Sequence, residues 1–374
     1  RNPIVSPTLT STVVTSTPIP LFIAMSHEGD GFPNTQIRNG LPSLPSQLAL
    51  AATWNTEDAR QVGETVGRDL SQLGINMLFG PSLDVLDTPR PNQGSGLGVR
   101  TFGGNPFWVG EFGSAYVKGV HQGSNNRLLT IAKHFPGFGS SDREINKGVP
   151  TILKSLDDLR RVELSPFFRV TNIDNAPPEE IADGVMTAHA RYQGLQGSVP
   201  ISMDARNLPA LLALKEIAPW RQAGGLVVSG PLGSPASLEG IVASGDAFPA
   251  RRLALEALSA GNDVLQLVDF AFVEGDPDLQ TENIKDAITF FQERYNSDPN
   301  FQAAVDQRVR RIIAAKLKIF GNDLLNAPIR PEVTAIEELD SAPLDMGQIA
   351  QAGVTLIKPV PQEGLAPLPD APQP

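Results

Sequence analysis

Apolar residues along the chain fall in short dense runs separated by longer stretches with a helical rhythm. The dense runs lie at 20–25, 75–79, 128–132, 184–188, 225–229 and 263–267. They are strand-sized and near-continuously apolar, as strands of a parallel sheet buried on both faces are. In 56–73, Ala59, Val62, Val66, Leu70 and Leu73 recur at steps of three and four, which draws one apolar stripe along a helix. Further helices are expected over 107–122, 155–168, 208–218, 247–260, 282–294 and 301–320. Asn105-Pro106 ahead of the first of these, and Gly321 after the last, are helix start and stop signals. Strand–helix alternation of this kind implies an α/β chain with a parallel sheet. A closed barrel and an open doubly wound sheet both satisfy it.

Length and composition narrow the function classes. The 374 residues suffice for one large domain, and a 41% hydrophobic content supports a packed core. No apolar run approaches the ~18 residues that a helical membrane span needs. A net charge of −11 speaks against nucleic acid, whose binding rests on phosphate neutralisation by Lys and Arg, and against a polybasic membrane contact. The absence of cysteine removes disulfides, thiolate chemistry and Cys-based metal sites. His27, His121, His134 and His189 show no metal-ligand spacing, so no metal or other cofactor is expected. The opening Arg1-Asn2-Pro3 reads as a processed or partial piece of a longer product. The Ser-, Thr-, Val- and Pro-rich stretch 5–17 suits an exposed segment.

The loops that follow the predicted strands hold the unusual residues. They are Ser26-His27-Glu28-Gly29-Asp30-Gly31, Lys133-His134-Phe135-Pro136-Gly137-Phe138-Gly139, Met186-Thr187-Ala188-His189 and Ser229-Gly230-Pro231-Leu232-Gly233. Polar and glycine-rich residues directly after buried strands build a pocket whose backbone can approach a ligand. The plainer alternative is that the glycines only turn the chain. Asp142 with Glu144 reads either as a carboxylate pair or as a solvated turn.

These segments resemble family 3 glycoside hydrolases, in the β-N-acetylhexosaminidase branch. Lys133–Gly139 is similar to that family's KHFPGHG signature, with Phe138 in place of the second His. Residues 98–103 resemble GDRSFG, and 79–85 resemble FAPVLDV. Residues 163–167 match ELxPF, 185–189 match VMTAH, and 225–229 match the GLVVS that leads to the nucleophile. Leu44-Pro45-Ser46 and Leu73-Gly74-Ile75-Asn76 fit in order. The resemblance runs from about residue 18 to 321 and implies a (β/α)8 TIM-like barrel over 1–321, with its first strand upstream of residue 1. It further implies a linker over 322–345. Over 346–374 it implies the start of a second α/β domain, with a first strand at 354–358, or a Pro-rich tail.

The same resemblance places the chemistry. Retaining hydrolysis needs a carboxylate nucleophile and an acid/base across the anomeric carbon. The family's nucleophile position falls on Gly230. Its acid/base His falls on Asn146 and that residue's partner Asp on Glu144. Glycine cannot attack, and Asn has no proton to shuttle. Ser26 replaces a sugar-gripping Asp while Glu28 stays, and Gly31 and Asn34 stand in the stretch where an arginine is expected. Arg100, Lys133, His134 and His189 match pocket positions and, with Glu28, are candidate sugar contacts. Alternatively they serve as internal struts, with Arg100 paired to Asp84 and both histidines held by backbone carbonyls.

Three functions follow. The first is a catalytically inactive barrel, a pseudoenzyme acting as a structural or interaction module of an envelope-associated or extracellular assembly, with a carbohydrate or protein partner. The second is a binding module for N-acetylglucosamine-type sugars. The third is an active β-N-acetylhexosaminidase using displaced residues.

Overall fold

The computed structural model describes residues 19–86, 97–143, 147–239, 241, 247–272, 276–322, 324 and 346–354. Glu144 and Asn146 lie outside them, as do nearly all of the expected linker and the expected strand beyond Val354.

A six-stranded, all-parallel sheet runs β1 (Ala24–Met25), β2 (Met77–Leu78), β3 (Leu129–Phe135), β5 (Gly184–Thr187), β7 (Leu226–Pro231) and β8 (Val264–Gln266), in that order. β4 (Thr151–Ile152) and β6 (Arg191–Tyr192) form a separate parallel pair in the loops after β3 and β5. The principal helices are α1 (Gln47–Ala51), α2 (Thr56–Gln72), α3 (Pro106–Gly123), α4 (Leu156–Arg161), α5 (Ser165–Val170), α6 (Asn207–Leu212), α7 (Ala218–Gln222), α8 (Pro235–Leu238), α9 (Ala250–Ala260), α10 (Pro277–Ser297), α11 (Pro299–Phe320) and α12 (Met346–Ala352). This is the TIM-like barrel architecture, with parallel strands inside and helices outside.

Strand residues alternate between two cores, as a period of two requires. Leu129, Ile131, Leu226 and Val228 pack in one cluster with Met77 and Met186. Their neighbours Ala132, Val185 and Val227 join the larger cluster formed with the outer helices. Helix α11 closes one end. Its Ile312, Ala315 and Ile319 pack on the inner cluster, Arg311 meets Asp263 just before β8, and Lys318 pairs with Asp183 just before β5.

Register is fixed by a repeated device. The residue immediately preceding a strand accepts a backbone N–H from the neighbouring strand's start. Asn76 accepts from Ile23 (2.8 Å), Asp183 from Thr130 (2.8 Å) and Asp263 from Val227 (2.9 Å). Each acceptor satisfies a donor at a strand edge that burial would otherwise orphan. Burial pushes the Asp183 carboxyl up, but His121 and Lys318 outweigh it and hold it well below the usual range.

Two of the expected helices are split. The expected 155–168 becomes α4 and α5, broken at Val162–Leu164, because Pro166 lacks the N–H that would continue the ladder. The expected 208–218 becomes α6, with α7 starting later at Ala218-Pro219 for the same reason. Elsewhere side-chain caps set the starts: Asn55 before α2, Asn105 before α3 and Asp298 before α11 each accept backbone N–H groups of the first turn.

Helices α2 and α3 touch backbone to backbone. A Cβ on Gly67 would lie 2.2 Å from Val120 O, and one on Gly119 only 1.9 Å from Arg60 O. Glycine is required there by proximity rather than by φ. This contact fixes the two helices whose leading loops carry the site. Helix α12 packs against α1, with Ile349 buried in the main core cluster.

Candidate functional site

Strands β3 and β7 run further than the apolar runs suggested. β3 extends through Lys133 and His134 to Phe135, and β7 through Gly230 to Pro231. The register aligns Lys133 with Met186 and Met186 with Val228. Lys133, His134, His189 and Gly230 therefore sit at the C-terminal ends of the strands, where barrel sites are built.

On one side Lys133 Nζ donates to Glu28 Oε1 (2.5 Å) and to Ser26 Oγ (3.3 Å). Both members of the Lys133–Glu28 pair are almost fully buried. Arg100 joins them, with Nε 3.4 Å from Asp30 Oδ2 and Nη1 3.9 Å from Glu28 Oε1. Glu28 and Asp30 thus stand against the two cations expected to grip a sugar. Arg100 does not pair with Asp84 as the strut reading supposed, because the carboxylates of its own neighbouring loop lie closer.

Asp84 instead takes His134. The imidazole Nδ1 lies 2.7 Å from Asp84 Oδ2, and Oδ1 accepts the backbone N–H of Phe138 (2.8 Å). Ser82 Oγ donates to the same carboxylate (2.9 Å). Burial raises the Asp84 pKa, but His134 and these donors outweigh it and leave the group below the usual carboxylate range. Phe138, which stands for the second His of the signature, is buried and packs edge-on to His134 at 5.1 Å between centroids. The expected backbone-carbonyl partner of His134 is therefore replaced by a carboxylate.

The third element joins His189 and Gly230. His189 Nδ1 lies 2.7 Å from Ser202 Oγ, again a side chain rather than the expected carbonyl. Its Nε2 makes no hydrogen bond and lies beside the Gly230 backbone, where a Cβ would come within 2.8 Å. Burial depresses the His189 pKa to about 4, against a smaller opposing influence of the Pro231 and Gly230 backbone. The ring is thus neutral near pH 7 and fills the space where a residue-230 side chain would begin.

Behind the loop, Glu163 is buried with Ser140 and Lys154 each 2.6 Å from Oε1. Burial pushes its pKa up despite both donors. Asp142 meets Arg143 (2.8 Å) and the Thr151 backbone N–H (2.7 Å), as a turn carboxylate does. Sequence reasoning missed Asp30 and Ser202. Asp30 was legible as the second acid of the His27–Gly31 loop, whereas nothing local marks Ser202, thirteen residues from His189.

The profile of the glycosyl hydrolase family 3 N-terminal domain matches residues 5–315. The β-hexosaminidase LpqI of Mycobacterium tuberculosis is 30% identical over 248 residues, covering 66% of this chain and 58% of that protein. The chain therefore spans under two thirds of this relative's length. A family 3 β-N-acetylglucosaminidase from a Paenibacillus species aligns with a TM-score of 0.69 at 23% identity, over 93% of this chain and 59% of that one. The β-glucoside phosphorylase BglX aligns at 0.71 and 21%, over 94% and 58%. At such identities these two structures speak to fold alone, and the two proteins are named for different chemistries.

Proposed function

Since the chain belongs to glycosyl hydrolase family 3 through its N-terminal barrel domain, we propose that it is a non-hydrolysing member, a barrel kept as a structural or interaction module. The observation that carries this reading is the His189–Gly230 contact. A retaining mechanism needs a carboxylate beneath the anomeric carbon. At Gly230, the position that the motif resemblance assigns to the nucleophile, there is no side chain, and a neutral, buried imidazole occupies the adjoining space. We place the module in an extracellular or envelope setting on the strength of the Ser-, Thr- and Pro-rich opening, with the cytoplasm as the alternative compartment.

Hydrolysis of an aryl β-N-acetylglucosaminide tests the proposal. Loss of a nucleophile costs on the order of 10⁴- to 10⁶-fold in other covalent enzymes. Turnover within about a hundredfold of an ordinary family member would support the competing reading, an active hexosaminidase with displaced residues.

A second reading, retained binding of N-acetylglucosamine-type sugars, is favoured by the Arg100–Lys133–His134 grouping at the strand ends. Arg100 and Lys133 retain donors suited to hydroxyl or acetamido oxygens, once Glu28 and Asp30 share them with a ligand. Calorimetry with N-acetylglucosamine distinguishes this from a purely structural role.

A further inference from the structure

Next to the Arg100 loop, the barrel carries an aromatic surface that the reaction centre does not use. Trp54 lies in the turn between α1 and α2 and is 45% exposed, and Phe107 in the first turn of α3 is 42% exposed. Trp108 stands between them. Its ring is perpendicular to both, at 5.8 Å from Trp54 and 5.2 Å from Phe107. Leu48 and Val99 are exposed as well, at 39% and 42%. Large exposed aromatics gathered in one place are uncommon on a monomer surface and mark contact sites.

The backbone adds an independent observation. Trp54 has a φ of +56°, a region that glycine or asparagine enters readily and a bulky side chain rarely does. A large apolar ring is therefore held, exposed, at a position where a small residue would be more stable. Strain of this kind gathers at functional positions.

We infer that Trp54, Trp108 and Phe107 form a stacking platform for the apolar face of a neutral β-linked N-acetylhexosamine oligosaccharide. The inference rests on the saccharide-pocket reading above and extends it outward along a chain. Placement supports it. The Leu48 N–H donates to Val99 O at 3.1 Å, so α1, which leads into the Trp54 turn, is tied to the loop whose next residue is Arg100. Helices α2 and α3 both begin on the side of the barrel where the strands end, so these rings lie on the same face as Arg100 and Lys133. Charge selects among occupants. Glu57 and Asp58 open α2 beside Trp54, and the chain carries −11 overall. Anionic membranes and nucleic acids are thereby repelled, whereas a neutral sugar is not. Pyranose rings offer a C–H face to an aromatic plane and hydroxyls to the rim, matching sites built of aromatic walls with few polar groups.

The test uses the full chain with two probes, N-acetylglucosamine and its β-1,4-linked hexamer, read by calorimetry and by tryptophan fluorescence. The hexamer is expected to bind at least about tenfold tighter than the monosaccharide and to shift the emission of the exposed rings. Trp54→Ala with Phe107→Ala should erase the hexamer's advantage while leaving monosaccharide affinity unchanged. Trp54→Asn, which tolerates a positive φ, should behave like Trp54→Ala and so separate ring loss from turn unfolding. Hexamer binding that needs Trp54 in the absence of any monosaccharide binding would support the platform and discard the pocket reading. An unbound hexamer, or equal hexamer affinity in the variants, would overturn the platform. It would also be overturned if the substitutions abolished self-association or liposome binding instead.

Discussion

His189 and Gly230 face each other across the gap between β5 and β7, with 3.0 Å from the ring Cδ2 to where a Gly230 Cβ would begin. The glycine therefore does more than lack a carboxylate. Its missing side chain is the room in which the imidazole lies, and Ser202 holds that imidazole from the other side.

Gly230→Asp should accordingly destabilise the chain. The ring must move, although it is buried and tied to Ser202, and overpacking of this kind costs about 1–3 kcal/mol. Gly230→Asp with His189→Ala should recover most of that loss, giving a coupling energy that a double-mutant cycle reads from denaturant melts. Additive effects would show that the two positions do not contend for space. Neither variant should hydrolyse an aryl β-N-acetylglucosaminide measurably, since the motif resemblance puts Asn146 at the acid/base position.

Acidification should weaken the fold through the same ring. Folded His189 stays neutral down to about pH 4, whereas an unperturbed histidine titrates at about 6.5. Between those limits the unfolded chain binds more protons, so stability falls as pH drops through the window. The contribution reaches at most about 3 kcal/mol. His189→Gln should flatten the decline in melting temperature between roughly pH 7 and pH 5. Below that range Asp84 and Asp183, both held down by their partners, lose their own contributions as they take up protons. An unchanged slope in the variant would assign the acid response to other groups.

Much of this architecture is legible in sequence because it follows from period. Among the described residues the apolar runs locate the six strands of the larger sheet but not β4 or β6, and the Ala59–Val62–Val66–Leu70 stripe buries as its spacing requires. Proline explains where the expected helices split. What the sequence does not yield is pairing across long separations. Arg100 choosing Asp30 over Asp84, or His189 choosing Ser202, depends on where loops from different strands converge. The α2–α3 contact has a fainter trace in Gly63, Gly67, Gly119 and Gly123, which lie at helical spacing yet say nothing of their partner until the helices are placed.

That contact gives a sharp expectation. Gly67→Ala adds a methyl 2.2 Å from Val120 O and 2.9 Å from its Cα, both backbone atoms that cannot rotate away. The helices must separate, so a loss of about 2 kcal/mol or more is expected, despite alanine's better helix propensity. Gly224→Ala serves as the contrast, since nothing lies within 4 Å of its Cβ, although its φ of +107° still carries a backbone cost. Equal destabilisation at both sites would mean that backbone strain, not proximity, governs.

The buried Lys133–Glu28 pair tests whether the cations at the strand ends are struts or ligand contacts. Removing one member alone, as in Lys133→Met, strands Glu28 in a site already short of partners, since its Oε2 has none. Breaking a buried pair in this way costs about 3–5 kcal/mol. Arg100, 3.9 Å from the same carboxylate, should soften the loss toward the lower figure. Lys133→Met with Glu28→Gln removes both charges and should restore much of the stability, because a neutral pair of similar volume avoids two desolvation costs. Sugar affinity then discriminates. If Lys133 serves only as a strut, the double variant melts like the parent and no ligand difference appears. If Lys133 contacts a saccharide, the double variant melts like the parent yet loses N-acetylglucosamine binding by at least about tenfold. Calorimetry on a variant whose fold is thus controlled separates a pocket from a brace, which melting of the single variant cannot do.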